Sequence, residues 1–181
     1  MLKVISIIAL VLIVAVLILL VVAAQKPDRF RFERTVLIKA PAEKIIPHIN
    51  DLNAWRAWSP YEKKDPDMKR VVSGAPAGKG AVYEWDGNKN VGAGRMEITE
   101  SAPTRVVIKL DFIRPFEGHN VAIFTLTPQA EGTQMSTQVS WVMEGPAPLL
   151  TKVMSTLINM DKMVGDDFAA GLASLKAIVE K

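Results

Sequence analysis

The chain has 181 residues, 22 of them basic and 19 acidic, for a net charge of +3. Charges this evenly balanced leave no electrostatic footprint for nucleic acid, and no such partner is expected. With no cysteine in the chain, disulfides, cysteine nucleophiles and thiolate metal sites are excluded.

The first part of the chain is not that of a globular domain. Residues 4–24 read VISIIALVLIVAVLILLVVAA, a run of 21 uncharged residues. At about 1.5 Å per residue a helix over it would be roughly 30 Å long, the thickness of a bilayer's hydrocarbon core. Val22-Ala23-Ala24 before Gln25 would also suit a signal-peptide cleavage site. The apolar run exceeds the roughly 7 to 15 residues of a signal h-region, so an uncleaved single-pass anchor over residues 1–25 is the expectation. Lys3 and the amino terminus stand before it, and Lys26, Arg29, Arg31 and Arg34 follow it. By the positive-inside rule that asymmetry places residues 26–181 on the cytoplasmic side. This remainder carries 21 basic and 19 acidic residues, a balance of +2. It is one domain's worth of chain.

Residues 31–38, RFERTVLI, put Phe32, Val36 and Ile38 on one face and predict a strand ending at Ala40-Pro41. Helical spacing follows at Ile45, Ile46, Ile49, Leu52 and Trp55, interrupted near Asn50-Asp51. Two short helices are predicted, the second ended by Ser59-Pro60, because a residue before proline avoids the α region. From Lys69 onward six apolar runs are separated by turn chemistry such as Gly74-Ala75-Pro76, Asp86-Gly87-Asn88, Ala102-Pro103 and Glu131-Gly132. Alternation within them, as in Val106, Ile108, Leu110 and Phe112 against Val107, Lys109 and Asp111, predicts half-solvated antiparallel strands. After Gly145-Pro146-Ala147-Pro148 the period changes to that of one long helix over residues 149–179. Its stripe is Leu149, Val153, Leu157, Met160, Val164, Phe168, Leu172, Leu175 and Val179. Leu150, Met154 and Ile158 widen it in the first half. The predicted class is α+β: a curved antiparallel sheet with a long C-terminal helix across it, preceded by one transmembrane helix.

That order of elements is similar to the SRPBCC superfamily, which includes START lipid-transfer domains and the birch-pollen allergen. The likeness is carried by ERTVLIKAPAEKI, NDLNAWRAWSPYEKKDPDMK, YEWDGN, VGAGRMEI, GTQMSTQVSWVMEGP and MDKMVGDDFAAGLASLK. Among its members the chain most resembles the bacterial polyketide cyclase or dehydrase-like proteins. The resemblance implies a helix-grip fold over residues 26–181, with an apolar cavity between sheet and helix. It implies no shared catalytic constellation, because the family hosts carriers, cyclases and co-chaperone activators.

Catalytic motifs are few. With only His48 and His119, a three-histidine zinc site is impossible, and no HExxH or GxSxG motif occurs. No metal or cofactor is expected. Gly74 to Gly80 fails as a phosphate loop, with three residues between Gly74 and Gly78 and a glycine where Ser or Thr is needed. Gly92-Ala93-Gly94 reads as a bulge or close backbone approach inside a strand. Asp161, beside Met160 and in phase with Met154 and Ile158, is a candidate acid or base if it faces the cavity, with Arg95 or Arg114 as partner. Tyr83, alternating with Trp85, would give the cavity a hydroxyl tip.

Strand parity and the helix stripe select the candidate lining. It comprises Tyr83, Trp85, Met96, Ile98, Ile108, Leu110, Phe112, Phe124, Leu126, Met135, Val139, Trp141, Leu157, Met160 and Val164. Trp55 and Trp58, three apart on one helical face, serve either as core or as a ligand-contacting wall. The expected function is binding of a small apolar or amphipathic ligand. A cyclase or dehydratase acting on such a ligand, and a protein-binding module, are the alternatives.

Overall fold

The computed structural model describes residues 1–131 and 134–181, so the turn expected at Glu131-Gly132 reaches outside the described residues. The apolar leader forms one helix, α1 (Leu2–Ala24). From Lys3 on its side chains are exposed except near the end, where Leu19 is half-buried and Ala23 is covered completely. The stretch from Lys3 to Ala24 is long and apolar enough to cross a bilayer, a property that a signal sequence shares.

A bend at Lys26-Pro27 leads into β1 (Arg29–Ile38). Three short helices follow, α2 (Ala42–Asn50), α3 (Trp55–Trp58) and α4 (Pro60–Lys64). The sequence reading ended the helical stretch at Ser59-Pro60. In fact Ser59 is extended and Pro60 opens α4, because a proline at the first helical position loses no hydrogen bond.

Then come β2 (Lys69–Gly74), β3 (Ala81–Asp86), β4 (Ala93–Ala102), β5 (Arg105–Arg114), β6 (Gly118–Glu131) and β7 (Gln134–Pro146). The seven strands form one antiparallel sheet in the order β1-β7-β6-β5-β4-β3-β2. Val36 pairs with Val139, Phe124 with Trp141, and Met96 with Leu110. Register shifts at Ala93/Gly94 and Ile98/Glu100 add bend to β4. At the first of these, a Cβ on Gly94 would lie 2.4 Å from the Trp85 ring and 2.5 Å from the Asp111 carbonyl oxygen, the close approach read from the glycine pair.

The long helix expected over 149–179 is two helices, α5 (Leu149–Leu157) and α6 (Met160–Val179). Ile158 is extended at φ −128°, and the Asn159 side chain caps α6 by accepting from the Lys162 backbone N–H at 2.9 Å. Only α6 grips the sheet. Phe168, Leu172 and Leu175 are buried against it, and α2 and α3 pack beside them. Gly171 permits this contact, since a Cβ there would lie 2.9 Å from both Pro60 and the Trp141 ring. The other helix, α5, packs against α1.

The buried aromatic cluster binds the layers together. Trp141 lies between Phe168, stacked at 4.0 Å between centroids, and Phe124, stacked at 5.0 Å. Trp55 and Trp58 meet both Phe124 and Trp141 edge-on.

Candidate functional site

Between the concave sheet face and α6 lies a cavity of about 690 Å³. From the sheet it takes Tyr83 and Trp85 on β3, Met96 on β4, and Ile108, Leu110 and Phe112 on β5. Ala122 on β6 and Trp141 and Met143 on β7 complete that wall. The helices supply Trp55, Tyr61, Met163 and Phe168, and the loop between α4 and β2 supplies Met68. Exposed Lys64, Lys89, Asn90, Arg114 and Pro115 surround the mouth. Four methionines, two on the sheet wall and two facing it, give the lining an adaptable surface.

One corner of this apolar space is polar. Glu62, from the first turn of α4, is buried beneath the cavity wall. The Tyr83 hydroxyl donates to its Oε1 at 2.5 Å, and Arg70 Nε donates to its Oε2 at 2.7 Å. The Arg70 guanidinium also donates to the carbonyls of Met68, Asp65 and Pro66, so it fixes the loop between α4 and β2. Burial, and then the hydrogen bond to Glu62, push the Tyr83 hydroxyl above its ordinary pKa of 10.0. Burial does the same to Tyr61. Both phenols therefore face the cavity protonated at neutral pH.

Beside the cavity one buried polar atom has no partner among the described residues. Trp141 is buried, and its indole N–H meets no acceptor among the described residues. The other indoles are satisfied by carbonyls: Trp55 by Ile49 at 3.0 Å, Trp58 by His48 at 2.9 Å and Trp85 by Val91 at 3.0 Å. Asp65 accepts from the Asn88 backbone N–H at 2.6 Å and so holds the β3–β4 turn at the cavity's mouth.

Of the candidate lining residues, Trp55, Tyr83, Trp85, Met96, Ile108, Leu110, Phe112 and Trp141 line this cavity. Trp58, Ile98, Phe124, Leu126 and Val139 face inward too, but they are closed into solid core. Val164 is half-buried against the core without lining the cavity.

Four candidate residues are corrected outright. Met135 is 51% exposed, because the sheet runs past its helical cover below Thr137, whose hydroxyl donates to the Ala40 carbonyl at 2.8 Å. Leu157 and Met160 line a second groove of about 450 Å³ between β1 and the α5–α6 junction. Asp161 points outward with its side chain 61% exposed, and its partner is Arg34 at 3.1 Å, not Arg95 or Arg114.

The sequence reading missed Tyr61, Glu62, Met68, Ala122, Met143, Met163 and Phe168 as lining. Met143 and Phe168 carried a signal, since they lie on the same strand parity and helix stripe that selected their neighbours. His119 is exposed, with Nδ1 2.8 Å from Asp111 Oδ1. Burial raises the Asp111 pKa, but hydrogen bonds from Lys109 and His119 outweigh it, and the carboxyl lies below its ordinary value. No cluster of three or more His, Cys, Asp or Glu able to hold a metal occurs among the described residues.

A curved antiparallel sheet wrapped on a C-terminal helix around an apolar cavity defines a helix-grip domain. The chain belongs to the polyketide cyclase / dehydrase and lipid transport family, whose model matches residues 29–180. A Chromobacterium violaceum protein of solved structure is 22% identical, with a TM-score of 0.56 over 86% of this chain and 99% of that one. Aha1 from Colwellia psychrerythraea, solved as a dimer, is 17% identical, with a TM-score of 0.57 over 83% and 96%. The di-domain ARO/CYC StfQ from the steffimycin biosynthetic pathway is 12% identical, with a TM-score of 0.55 over 84% of this chain and 51% of that one. At these identities the likeness is one of fold. No curated protein sequence matches the chain.

Proposed function

We propose that residues 26–181 bind a small apolar or amphipathic molecule in the 690 Å³ cavity, and that α1 tethers them to a membrane with the domain on the cytoplasmic side. The cavity itself carries the reading. Its volume falls within the range of about 300 to 1,000 Å³ usual for small-molecule sites, and its apolar wall is broken by few polar groups. A ligand with an apolar body would lie on Trp85, Phe112 and the methionines and turn an oxygen toward the Tyr83–Glu62 corner.

Binding is favoured over cyclase or dehydratase chemistry by the state of the two candidate groups. The Tyr83 proton is engaged by Glu62, and its raised pKa makes it a poor proton donor at neutral pH. Asp161 lies outside the cavity.

Native mass spectrometry of the detergent-extracted full chain tests the proposal together with an apolar fluorescent probe. The wild type is expected to carry a small molecule or bind the probe, and Ala122→Phe, which fills the cavity, to do neither. Absence of both from the wild type would turn the reading toward a protein-binding surface. Carbonate washing of membranes and protease treatment of intact cells test the tether and its side. A shortened soluble product, or digestion while cytoplasmic controls survive, would overturn them.

A further inference from the structure

The geometry points to a bilayer-docking face: the end of the domain from which α1 departs lies against the membrane, and the cavity opens into it. The inference rests on the reading of α1 as a membrane span.

Antiparallel pairing fixes which loops share an end. Arg29 pairs with Pro146, Val121 with Glu144, Phe112 with Gly118, Ala93 with Arg114 and Lys69 with Asp86. The start of β1, the end of β7, the β5–β6 turn and the β3–β4 turn therefore lie along one edge of the sheet. The cavity's mouth, at Lys89, Asn90, Arg114 and Pro115, is at the end where α1 is attached.

Exposed apolar side chains gather at the same end. Beyond α1, ten large hydrophobic residues are exposed among the described residues, namely Leu37, Val71, Ile113, Phe116, Met135, Leu149, Leu150, Leu157, Ile158 and Met163. Ile113, Phe116, Met163 and the four from α5 and its C-cap belong to this end, so seven of the ten are here. Phe116, on the β5–β6 turn, is 55% exposed and Leu157 is 68% exposed.

The contact of α5 with α1 sets the depth. Ala23 and Leu19 are the covered residues of α1, and α5 is the helix packed on it. Lys26 Nζ donates to the Ser155 carbonyl at 2.6 Å, and Lys152 pairs with Asp28 at 2.6 Å, which locks the joint. At about 1.5 Å per residue the contact lies within roughly 8 Å of the end of α1. That is the depth, about 5 to 10 Å, at which amphipathic helices rest in a bilayer interface.

The adhesion is apolar. Arg29 and Arg31 pair with Glu144, Lys152 with Asp28, Arg114 with Asp86 and Lys64 with Asp167, so the cations here are largely neutralised within the protein. A hydrophobic ligand would then pass between leaflet and cavity without crossing water.

The absence of cysteine makes the test direct. Phe116→Cys, Leu157→Cys, Met135→Cys and Leu12→Cys are each labelled with a fluorophore on the full chain. The chains are reconstituted into phosphatidylcholine vesicles carrying nitroxide lipids. Labels at Leu12, Phe116 and Leu157 should be quenched, and the label at Met135, at the far end of the sheet, should not. Quenching should persist at high salt. If only Leu12 is quenched, α1 spans the bilayer but the domain stands away from it, and the face is left for a protein partner. If Leu12 is not quenched, the span itself is wrong and the docking falls with it. Loss of quenching at high salt would overturn the apolar basis.

Discussion

The concave face of this sheet is solid at one end and hollow at the other. Toward the end of β1, Ile98, Phe124, Leu126 and Val139 are met by Trp58, by Ile45 and Ile49 of α2, and by Leu172 and Leu175 of α6, all buried. Toward the start of β1, Trp85, Leu110 and Phe112 remain half-buried, because the first turns of α6 bring only Met163 to the cavity, and its side chain is itself exposed. One sheet with one alternation yields both outcomes. Strand parity decides which way a side chain points, and the opposing layer decides whether anything fills the space before it.

The contrast predicts unequal costs for equal truncations. Phe124→Ala should destabilise the detergent-solubilised chain by about 3 to 5 kcal/mol, the usual cost of emptying a closed aromatic site. Phe112→Ala should cost under about 2 kcal/mol, since its ring is already partly solvated, while weakening probe binding. Thermal unfolding of both variants decides the point. Equal losses would mean that the hollow end is closed in solution.

Enlarging residues should give the opposite pattern. Val139→Phe enters the solid end and should cost about 1 to 3 kcal/mol through overpacking. Ala122→Phe enters the cavity and should leave the melting temperature nearly unchanged while abolishing probe binding. A similar drop for both would deny the cavity room for a phenyl ring. Sequence parity placed Val139 among the cavity residues; its full burial away from the cavity reassigns it.

The fold was legible because its signals are periodic. Alternation in β5 and β7, turn residues between strands and the apolar face around Phe168, Leu172 and Leu175 are local properties that one sequence displays. The site was legible only where parity coincides with a gap in the opposing layer, as at Trp85, Met96 and Leu110. Glu62 was not, because it stands in a charged PYEKK run and is buried only through Arg70 and Tyr83 on strands that follow. Asp161 was misplaced for a different reason. Its phase was carried from Met154 through Ile158, but the extended residue at 158 resets the helix, and Asn159 starts a new one. The apolar spacing continued across that break and hid the cap.

The finest test lies between two tryptophans at the boundary of the two ends. Trp55 and Trp141 are both buried, both line the cavity, and stand 6.1 Å apart between ring centroids. The Trp55 indole donates to the Ile49 carbonyl, whereas that of Trp141 has no acceptor among the described residues. Replacing either by Phe removes the same indole-to-phenyl volume, so the difference between the variants isolates the hydrogen bond. Trp55→Phe loses a bond and orphans a buried carbonyl; Trp141→Phe removes a buried donor that had already given up water. Trp141→Phe should therefore be the less destabilising by about 1 kcal/mol in ligand-free protein. The reverse order in protein purified with its bound molecule, and only there, would mean that the Trp141 N–H donates to that molecule. That outcome would require the Trp141 ring to turn its N–H, which is covered in this structure, into the cavity, and so would make the indole a polar contact formed only with the bound molecule.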